Sequence, residues 1–459
     1  MTFSIPANYR QFLPRFYRLA SVAVFSNMMV PLAGLFDAAF LGHLEDIEFL
    51  AGVILGGILF DYIYRILKFL RNSTNALTAN ALGAGDDEAV LVALLRCAAV
   101  ALMMAGFILL FQTPIQQLGF AVLSGSSGVE STGLTYFNAR IWGAPAVLLN
   151  FVLIGWFLGR EMNGVVLLMS LVGNGSNVLF DYLMILQWGW ESMGAGLATA
   201  LSQYLALLIG LAAMALTSDW RLFRPAWAQV MNREGLMSAI ALKGNILVRF
   251  LALISAYSIF TNLSASFGPA VLAENGLLLQ IAMLSQFTVQ GVGMTSQTLI
   301  GNFKGKGEPG QILPVLKVAL VTGLAIALLF ALSAVLFPAA VFQLLTNHSE
   351  VVSAMAQHSG WLMPLLSLTA AAFMLESYFT GIKDGATLRN GALIGFLLGF
   401  APLTILAMYK QSEFLLWSAL TGYMAVLLAF LTMKLVLTHR DMMANHSSET
   451  APKEVAAMQ

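Results

Sequence analysis

The sequence is 459 residues long; 59% of its residues are apolar and 10% are charged, with 23 Lys and Arg balancing 23 Asp and Glu. Soluble domains carry about 25% charged residues and their cores stop growing at about 250–300 residues, so an ordinary soluble enzyme or a disordered chain is excluded. The balanced charge excludes a nucleic-acid binder, and the single cysteine, Cys97, excludes an intrachain disulfide and a thiolate metal cluster. A polytopic membrane protein remains.

About twelve segments are long and apolar enough to cross a bilayer, because roughly 20 apolar residues span its hydrocarbon. We call them spans 1 to 12, and they occupy residues 16–41, 48–70, 89–113, 134–159, 163–188, 193–217, 237–262, 270–296, 312–341, 359–382, 390–409 and 414–438. We expect helices, since backbone in lipid must satisfy its own hydrogen bonds and the alternation typical of a membrane β-barrel is not found in the sequence.

Basic residues are concentrated in every second loop, which predicts the orientation of the chain. The loops near 43–47, 114–133, 189–192, 263–269 and 344–350 contain no Lys or Arg, and Lys410 is the one exception to the alternation. The positive-inside rule therefore places both termini and the central loop 218–235 in the cytoplasm. We expect the polar residues 441–459 to form a disordered cytoplasmic tail.

The two halves of the chain resemble each other at a constant offset, 273 − 51 = 222. The matched pairs include Ala51 with Ala273, Asn80 with Asn302, Gly83 with Gly305 and Gly85 with Gly307. We predict an all-α integral membrane protein with about 12 transmembrane helices in two pseudo-symmetric six-helix lobes, residues 1–225 and 226–440. Two such bundles, repeated in the same orientation, are typical of transporters that work by alternating access.

Polar residues inside the first-lobe spans are the sharpest functional signal. Asp37 lies late in span 1 and Asp181 late in span 5, so both are expected in the outer half of the membrane. Asn174, Asn177 and Asp181 follow i, i+3, i+7 spacing and share one helix face. Thr199 near the start of span 6 is expected at a similar depth, which predicts one polar cluster.

A carboxyl group in a medium of low dielectric constant favours its neutral form, so this cluster suits a cation or proton switch. Pro31 and Gly34 precede Asp37 and permit a helix bend that protonation could change. The alternatives are that Asp37 caps a helix end near water and that Asp181 makes a structural hydrogen bond. The 222 offset assigns Ile259 to the position of Asp37, which places coupling in the first lobe.

Other charged residues also lie inside the predicted spans. Asp61 and Arg65 are spaced i, i+4, which predicts a self-neutralising structural pair. Arg249 in span 7 either pairs with Glu376 in span 10 or lines the second lobe. Glu274 lies near an outer helix end, where we expect it to reach water.

Five sequence runs resemble the multidrug and toxic compound extrusion (MATE) family, and their order and spacing resemble its DinF-like branch. They are PLAGLFDAAFLGHL, FLRNSTNALTANALGAGD, RIWGAPAVLLNFVLIGWFLGREM, NGSNVLFDYLMI and GAGLATALSQY. The similarity covers about residues 12–438. It implies two six-helix lobes and export of amphipathic, often cationic compounds against an inward flow of cations.

The resemblance also implies roles for single residues. It marks Asp37 as the protonation site of span 1, with Asn177, Asp181 and Thr199 as partners and Asn150 on span 4 as a further match. The NorM-type branch relies on acidic residues of the second lobe, and neither Glu274 nor Glu376 follows that pattern. We therefore expect proton coupling in the first lobe, while an oxygen cluster at Asp37 and Asp181 leaves Na⁺ open as the ion.

The leading hypothesis is thus a proton-coupled multidrug antiporter, a monomer in the bacterial inner membrane with small amphipathic or cationic substrates. No cofactor, resident metal ion or nucleic-acid partner is expected. The alternatives are a Na⁺-coupled exporter and a flippase for lipids or lipid-linked precursors. Such flippases often have a more basic central cavity. Here few basic residues beyond Arg65 and Arg249 are expected to be buried. An enzyme is not expected, because the sequence has no HExxH motif and no nucleophile elbow in a catalytic context.

Overall fold

The structure is a computed structural model that describes the backbone of residues 7–10, 12–42, 47–122, 127–230, 233–342 and 349–457. Side chains at 7–8, 30–39, 41–42, 47, 122, 233–243, 269–270, 339, 349–351, 354 and 439–457 lie outside the description. The described part of the chain is helical and contains no strand, which confirms the all-α prediction.

Eleven helices among the described residues are long and apolar enough to cross a membrane. Spans 2 to 6 are Glu48–Gly83, Asp87–Leu110, Ser127–Gly159, Asn163–Gln187 and Glu191–Thr217. Spans 7 to 12 are Gly244–Phe267, Val271–Gly305, Pro309–Leu336, Met355–Gly381, Gly385–Lys410 and Glu413–Thr438. Span 1 corresponds to the helix Leu13–Gly42, which is 30 residues long.

Shorter helical segments connect or extend these spans. They are Ala7–Arg10, Gln112–Val122, Phe223–Val230, Pro338–Phe342 and Ser349–His358, with 3₁₀ turns at Ile141–Gly143, Trp220–Leu222, Pro309–Gln311 and Ser359–Trp361. The helix of span 7 begins at Arg233, and the helix of span 12 continues to Ala457. Side chains are described only to residue 438 of that last helix, so the disordered tail 441–459 stays a prediction.

Spans 2 and 8 are longer than the sequence predicted. Span 2 consists of the segments Ile47–Leu67 and Phe69–Gly83, which meet at Lys68, and it extends 13 residues beyond its predicted end at residue 70 (83 − 70). Span 8 likewise reaches Gly305 and is 35 residues long. At 1.5 Å per residue such a helix measures about 52 Å, well beyond the roughly 30 Å of hydrocarbon. Hydropathy detects the apolar part of a helix and not its polar continuation, which explains the error.

The repeat extends over nearly the whole of each half. Equivalent boundaries keep the offset of 222: the ends of spans 2 and 8 (305 − 83), the ends of spans 4 and 10 (381 − 159), and the starts of spans 5 and 11 (385 − 163) and of spans 6 and 12 (413 − 191). The sequence alone had shown this offset clearly only over residues 51–85. The repeat therefore includes spans 2, 4, 5 and 6 and their counterparts 8, 10, 11 and 12.

Backbone conformations outside the helices repeat in the same way. Six of the eight residues with positive φ form pairs that are 222 positions apart: Gly85 (71°) with Gly307 (72°), Glu161 (60°) with Lys383 (65°), and Gly189 (65°) with Gln411 (50°). A left-handed residue after the last helical turn ends a helix and redirects the chain. The helix ends of the two halves are therefore built alike, even where the side chain is not glycine.

The chain folds into two compact units. The first unit comprises Phe25–Leu82 and Asp86–Ile240; the second comprises Met1–Val24, Gly83–Gly85 and Ala241–Gln459. Within the second unit, the ring of Phe12 packs edge-on against Phe303, and an Nη atom of Arg15 donates to Oδ1 of Asn302 at 3.4 Å. The predicted lobe limits 1–225 and 226–440 stay predictions.

Candidate functional site

The predicted span 1 residues belong to one continuous helix. Pro31, Gly34 and Asp37 lie in the helix Leu13–Gly42, but their side chains fall outside the described residues. The part of the predicted cluster that the structure describes therefore comes from spans 4, 5 and 6 of the first unit.

Span 5 carries two buried polar residues, Asn177 and Asp181, close to a change in helix type. Its α-helix runs Asn163–Asp181 and continues as a π-helical segment, Tyr182–Gln187. The side chain of Asp181 is fully buried, at 0% exposure, and Asn177 one turn earlier is also buried. Short π-helical segments are rare and frequently mark functional sites. No feature of the sequence predicted this segment.

Close helix packing fixes the level of these residues relative to span 6. A Cβ atom added at Gly173 would lie 3.2 Å from Cβ of Ala206, and one added at Gly194 would lie 3.1 Å from the backbone of Met184. Gly173, Asn177 and Asp181 follow one another at i, i+4 and i+8 and so occupy one face of span 5. The stretch of span 6 between these two contacts contains Thr199.

Hydrogen bonds distinguish the predicted residues from one another. Thr199 Oγ1 donates to the carbonyl of Ala195 at 2.9 Å, and Asn174 Nδ2 donates to the carbonyl of Ser170 at 2.7 Å, so both bond to their own helix. Asn174 is half-buried, whereas Asn177 is buried. The predicted shared face thus has a buried end at Asn177 and a more exposed end at Asn174.

Asn150 of span 4 joins span 6 through a residue that the sequence analysis did not select. Its Nδ2 atom donates to the carbonyl of Gln203 at 2.9 Å and to Oε1 of Gln203 at 3.2 Å. Ser202 is buried and donates to the carbonyl of Thr199 at 2.8 Å. Gln203 and Ser202 both lie in the run GAGLATALSQY, where a polar pair inside an apolar span was a detectable signal.

Two buried amide atoms of this region make no hydrogen bond to the part of the chain that the structure describes. They are Asn150 Oδ1 and Asn177 Nδ2. Buried polar atoms are almost always hydrogen-bonded, so each such atom needs an explanation. Atoms of this kind can serve a bound ion, a water molecule or a substrate.

Half-buried basic side chains also lie within the spans of the first unit. Lys68 and Arg71 lie within span 2, and an Nη atom of Arg71 donates to Oδ1 of buried Asn27 at 3.1 Å. Arg140 of span 4 donates to the hydroxyl of Tyr136, and its guanidinium carbon lies 4.7 Å from the ring centre of Phe60.

The expectation of few buried basic residues is confirmed for the described residues: Arg249 is buried, whereas Arg65, Arg71 and Arg140 are half-buried. The Nε atoms of Arg71 and Arg140 are both buried. Arg140 lies inside the predicted segment 134–159, where its charge was visible in the sequence. The side chain of Arg65, by contrast, is 42% exposed and pairs with Asp61 at 3.8 Å, as its spacing predicted.

In the second unit, Arg249 pairs with Glu376. Nε of Arg249 donates to Oε1 of Glu376 at 2.6 Å, an Nη atom contacts the other carboxylate oxygen, and both side chains are buried. The guanidinium carbon also lies 4.5 Å from the ring centre of Phe250. A bidentate pair of this kind neutralises both charges. Of the two roles left open for Arg249, the structure supports the pairing.

Glu274 does not reach water as predicted. It is 4% exposed, and one of its carboxylate oxygens contacts Nδ1 of His358. The prediction was wrong because the outer end of a single helix is exposed only if no other helix end packs against it. Here span 10 brings His358 onto span 8, and Glu413 at the start of span 12 lies beside the same ring.

Basic residues between spans are held by nearby backbone. Arg160 donates to Oγ1 and to the carbonyl of Thr217 at 3.1 and 3.0 Å, at the end of span 6. Burial lowers the pKa of Arg160, and burial likewise lowers the pKa of Lys383. A cation at the carboxyl end of a helix is favoured by the helix dipole, which helps to retain the charge of Arg160 despite burial.

Sequence comparison places this arrangement in a known family. The MatE family profile matches residues 23–183 and again 246–405, once in each half of the chain. DNA damage-inducible protein F of Escherichia coli K12 is 30% identical over 410 residues, 89% of each chain. A probable multidrug resistance protein NorM of Shewanella oneidensis is 24% identical and covers 93% of this chain and 95% of its own.

Solved structures share the fold at low sequence identity. A MOP superfamily transporter from Pyrococcus furiosus superposes with a TM-score of 0.82 at 18% identity, covering 94% of this chain and 96% of the other. A variant of the Vibrio cholerae MATE transporter VcmN superposes with a TM-score of 0.81 at 18% identity, covering 93% and 98%. These relatives are membrane transporters rather than enzymes. The chain belongs to the MATE family of multi-pass membrane transporters for small drug substrates.

Proposed function

We propose that this protein exports amphipathic, often cationic compounds by alternating access, driven by an inward flow of protons. In this proposal Asp37 is the switch, and Asp181, Asn177, Asn174, Thr199 and Asn150 support it. Pro31 and Gly34 permit the bend of span 1. The observation that carries the proposal is the fully buried Asp181 at the junction of the α-helical and π-helical parts of span 5.

The physical argument starts from the cost of burying a carboxylate. An ionised carboxylate removed from water is costly unless a proton, a cation or a basic group neutralises it. Asp181 lies on the same face as Asn177, whose Nδ2 makes no hydrogen bond within the described residues. A site of this composition can take up a proton when it opens to the outside and lose it when it is wetted from the cytoplasm. Oxygen atoms of the same residues also suit Na⁺, which is the alternative coupling ion.

The test is efflux of ethidium or norfloxacin from an efflux-deficient bacterium. Wild type is compared with Asp37→Asn and Asp181→Asn, with a protonophore and with or without Na⁺. We expect both variants to lose efflux at unchanged expression, and the protonophore to stop wild-type efflux regardless of Na⁺. Asp61→Asn is the matched control, because Asp61 lies in a span but its side chain is 70% exposed.

The outcomes separate the parts of the proposal. Wild-type efflux by Asp37→Asn contradicts the proposed switch. Efflux that follows Na⁺ and resists the protonophore keeps the site and changes the ion. Within the cluster we expect Asn177→Ala to reduce efflux more than Asn174→Ala, since Asn174 bonds to its own helix.

A second candidate function is the flipping of lipids or lipid-linked precursors. It is supported by Lys68, Arg71 and Arg140, which lie within spans of the first unit. Arginine binds phosphate through paired N–H donors, so anionic headgroups suit such residues. The similar Pyrococcus furiosus transporter is described as having a binding pocket of reversed polarity, which suggests a different function for that protein.

Cargo assays with Arg71→Gln and Arg140→Gln distinguish the two functions. If the protein exports cations, both variants keep ethidium efflux as long as they fold. If it moves anionic lipids, wild-type protein in vesicles translocates a fluorescent anionic lipid and both variants lose that activity. Failure of well-expressed wild type to export any dye or drug favours the flippase.

We also propose a monomer in the bacterial inner membrane with both termini in the cytoplasm. The near absence of basic residues from alternate loops supports this topology. Reporter fusions at the C-terminus test the orientation, and light scattering of the detergent-solubilised protein tests the monomer. A periplasmic C-terminus or a stable dimer contradicts the respective expectation.

A further inference from the structure

Three potential metal ligands meet at the outer end of the second unit. Glu274, His358 and Glu413 lie near the starts of spans 8, 10 and 12. A carboxylate oxygen of Glu274 contacts Nδ1 of His358, and Oε2 of Glu413 lies 3.9 Å from Nε2. One ring nitrogen and one oxygen from each glutamate all lie within 4.8 Å of one another. Helices far apart in sequence therefore bring the three donors together.

Buried hydrogen bonds fix the relative positions of the helices that carry these ligands. Trp417, one turn after Glu413, donates from Nε1 to Oδ1 of Asn275 at 2.9 Å. Asn275, the neighbour of Glu274, donates in turn to Oγ of Ser264 on span 7 at 3.0 Å. The spacing of spans 8 and 12 at this level is thus set independently of the cluster itself.

The cluster combines a buried member with two accessible ones. The side chain of Glu274 is 6% exposed, while those of His358 and Glu413 are 30% and 27% exposed. Oε2 of Glu413 is nevertheless buried, and it makes no hydrogen bond to the residues that the structure describes. The site therefore has a route to water and a carboxylate oxygen in need of a partner.

We propose that Glu274, His358 and Glu413 form a binding site for a divalent transition-metal ion, best suited to Zn²⁺. Two carboxylates and a neutral imidazole carry two negative charges, which a divalent ion neutralises at a partly buried position. Imidazole and carboxylate are established zinc ligands, and three protein ligands plus water complete a tetrahedron. Ca²⁺ and Mg²⁺ prefer six or more oxygen ligands, so the histidine favours zinc over these ions.

The geometry needs only a small adjustment to close around the metal. Zinc bonds of about 2.0–2.2 Å place ligand atoms about 3.4 Å apart in a tetrahedron. The three ligand atoms now lie within 4.8 Å of one another. Rotation of the long glutamate side chains can bring them to the shorter spacing. Glu413 can supply it because its side chain is partly exposed. On binding, Zn²⁺ takes the place of the direct contact between Glu274 and Nδ1 of His358, and the hydrogen-bonding proton of that contact is released to water.

The repeat provides an internal control, since the site exists in one half only. The 222 offset assigns Gly52, Tyr136 and Glu191 to the positions of the three ligands (274 − 222, 358 − 222, 413 − 222). Glu191 begins span 6 as Glu413 begins span 12. The positions equivalent to Glu274 and His358, however, hold a glycine and a tyrosine, which do not complete a site. Glu191→Gln is therefore a matched variant that leaves the proposed site intact.

The test is metal binding by the purified full-length protein in detergent, stripped with EDTA and titrated with ZnCl₂ by calorimetry. We expect one Zn²⁺ per chain in wild type and in Glu191→Gln. His358→Gln and Glu413→Gln should weaken binding at least about tenfold, since even outer-shell partners of zinc sites contribute 10–100-fold. Co²⁺ in place of Zn²⁺ should give visible absorption typical of tetrahedral coordination, which the two variants lose.

Two results would overturn the proposal. One is no Zn²⁺ binding by folded wild type, which would leave the cluster as a polar contact between helix ends. The other is equal binding by wild type and Glu413→Gln, which would place the metal elsewhere. Thermal unfolding of each variant in EDTA shows whether it folds. If His358→Gln does not fold, Glu413→Gln still tests the site. None of these readouts depends on transport.

Discussion

The two halves of this protein share their backbone geometry and differ in their buried charges. Position 27 holds Asn27 in the first half, and its equivalent in the second half is Arg249 (249 − 27 = 222). Asn27 accepts a hydrogen bond from Arg71 of span 2, whereas Arg249 is paired with Glu376 of span 10. The same place in the fold therefore carries a neutral acceptor in one half and a charge in the other.

A contact between equivalent spans shows how the fold accommodates this difference. In the first half, Gly155 of span 4 faces the backbone of Arg71, and a Cβ atom there would lie 2.3 Å from its carbonyl oxygen. In the second half the small residue is on the other helix: Gly293 takes the position of Arg71, and Ser377 takes that of Gly155. Close approach of two helices needs a small residue on one side only, so duplication preserved the contact while side chains diverged.

The comparison shows that the two halves differ in where they place buried charged side chains. The second half binds its buried arginine within an ion pair, and the 222 offset gives it Leu403 where the first half has Asp181. The first half buries Asp181 in the same span as the buried Asn177. In the buried pair of Arg249 and Glu376 each charge neutralises the other. Four predictions break or sharpen this contrast.

The largest effect is expected from breaking the buried pair of the second half. Glu376→Leu should lower the free energy of unfolding by about 3–5 kcal/mol, because it leaves Arg249 buried and uncompensated. Thermal or denaturant unfolding in detergent measures the loss. The double variant Arg249→Met with Glu376→Leu should recover most of it, since apolar side chains can replace a buried pair. A double variant as unstable as the single one would contradict this interpretation.

The next effect concerns the helix contact that both halves preserve. Gly155→Ala should cost about 3 kcal/mol, because the added methyl group would overlap the carbonyl oxygen of Arg71. Gly381→Ala, whose methyl group would lie 2.8 Å from the carbonyl oxygen of Gln297, should cost less. Gly175→Ala is the control, since nothing lies within 4 Å of its added atom. Equal unfolding temperatures for all three variants would refute the packing argument.

A smaller effect is expected at the buried tryptophans. Trp417 donates to Oδ1 of Asn275, and Trp156 in the first half donates to the carbonyl of Val90 at 2.9 Å. Substitution of either by Phe leaves a buried acceptor unsatisfied and should cost about 1–3 kcal/mol, measured by unfolding. Trp417→Phe should also weaken Zn²⁺ binding if its contact positions Glu413. Unchanged stability in both variants would show that these acceptors find other partners.

The smallest effect is expected at the exposed pair of span 2. Asp61→Asn should change the free energy of unfolding by less than about 1 kcal/mol, because exposed ion pairs contribute little. Its efflux should equal that of wild type, in contrast to Asp181→Asn. A large loss of stability or transport in Asp61→Asn would mean that the membrane environment, and not burial within the protein, decides the importance of a carboxylate.

Much of the architecture was predictable because membrane constraints act on composition. Apolar length predicted helices, and the offset of Gly83 with Gly305 predicted the repeat that the span boundaries then confirmed. The shared face of Asn177 and Asp181 followed from helical spacing, and both are buried. The ends of spans 2 and 8 were wrong because a helix continues beyond the apolar residues that hydropathy detects.

The sequence itself therefore determined the properties of single helices. These are the helical type of the spans, their repeat at an offset of 222, and which residues share a helix face. These depend on local spacing and on the cost of unsatisfied backbone in lipid. Only the tertiary structure decided which partners meet across helices, such as Arg249 with Glu376, Asn150 with Gln203, and Glu274 with His358 and Glu413. Their separations along the chain range from 53 to 139 residues (203 − 150, 413 − 274). Contacts over such distances depend on how helices pack, which local spacing does not encode.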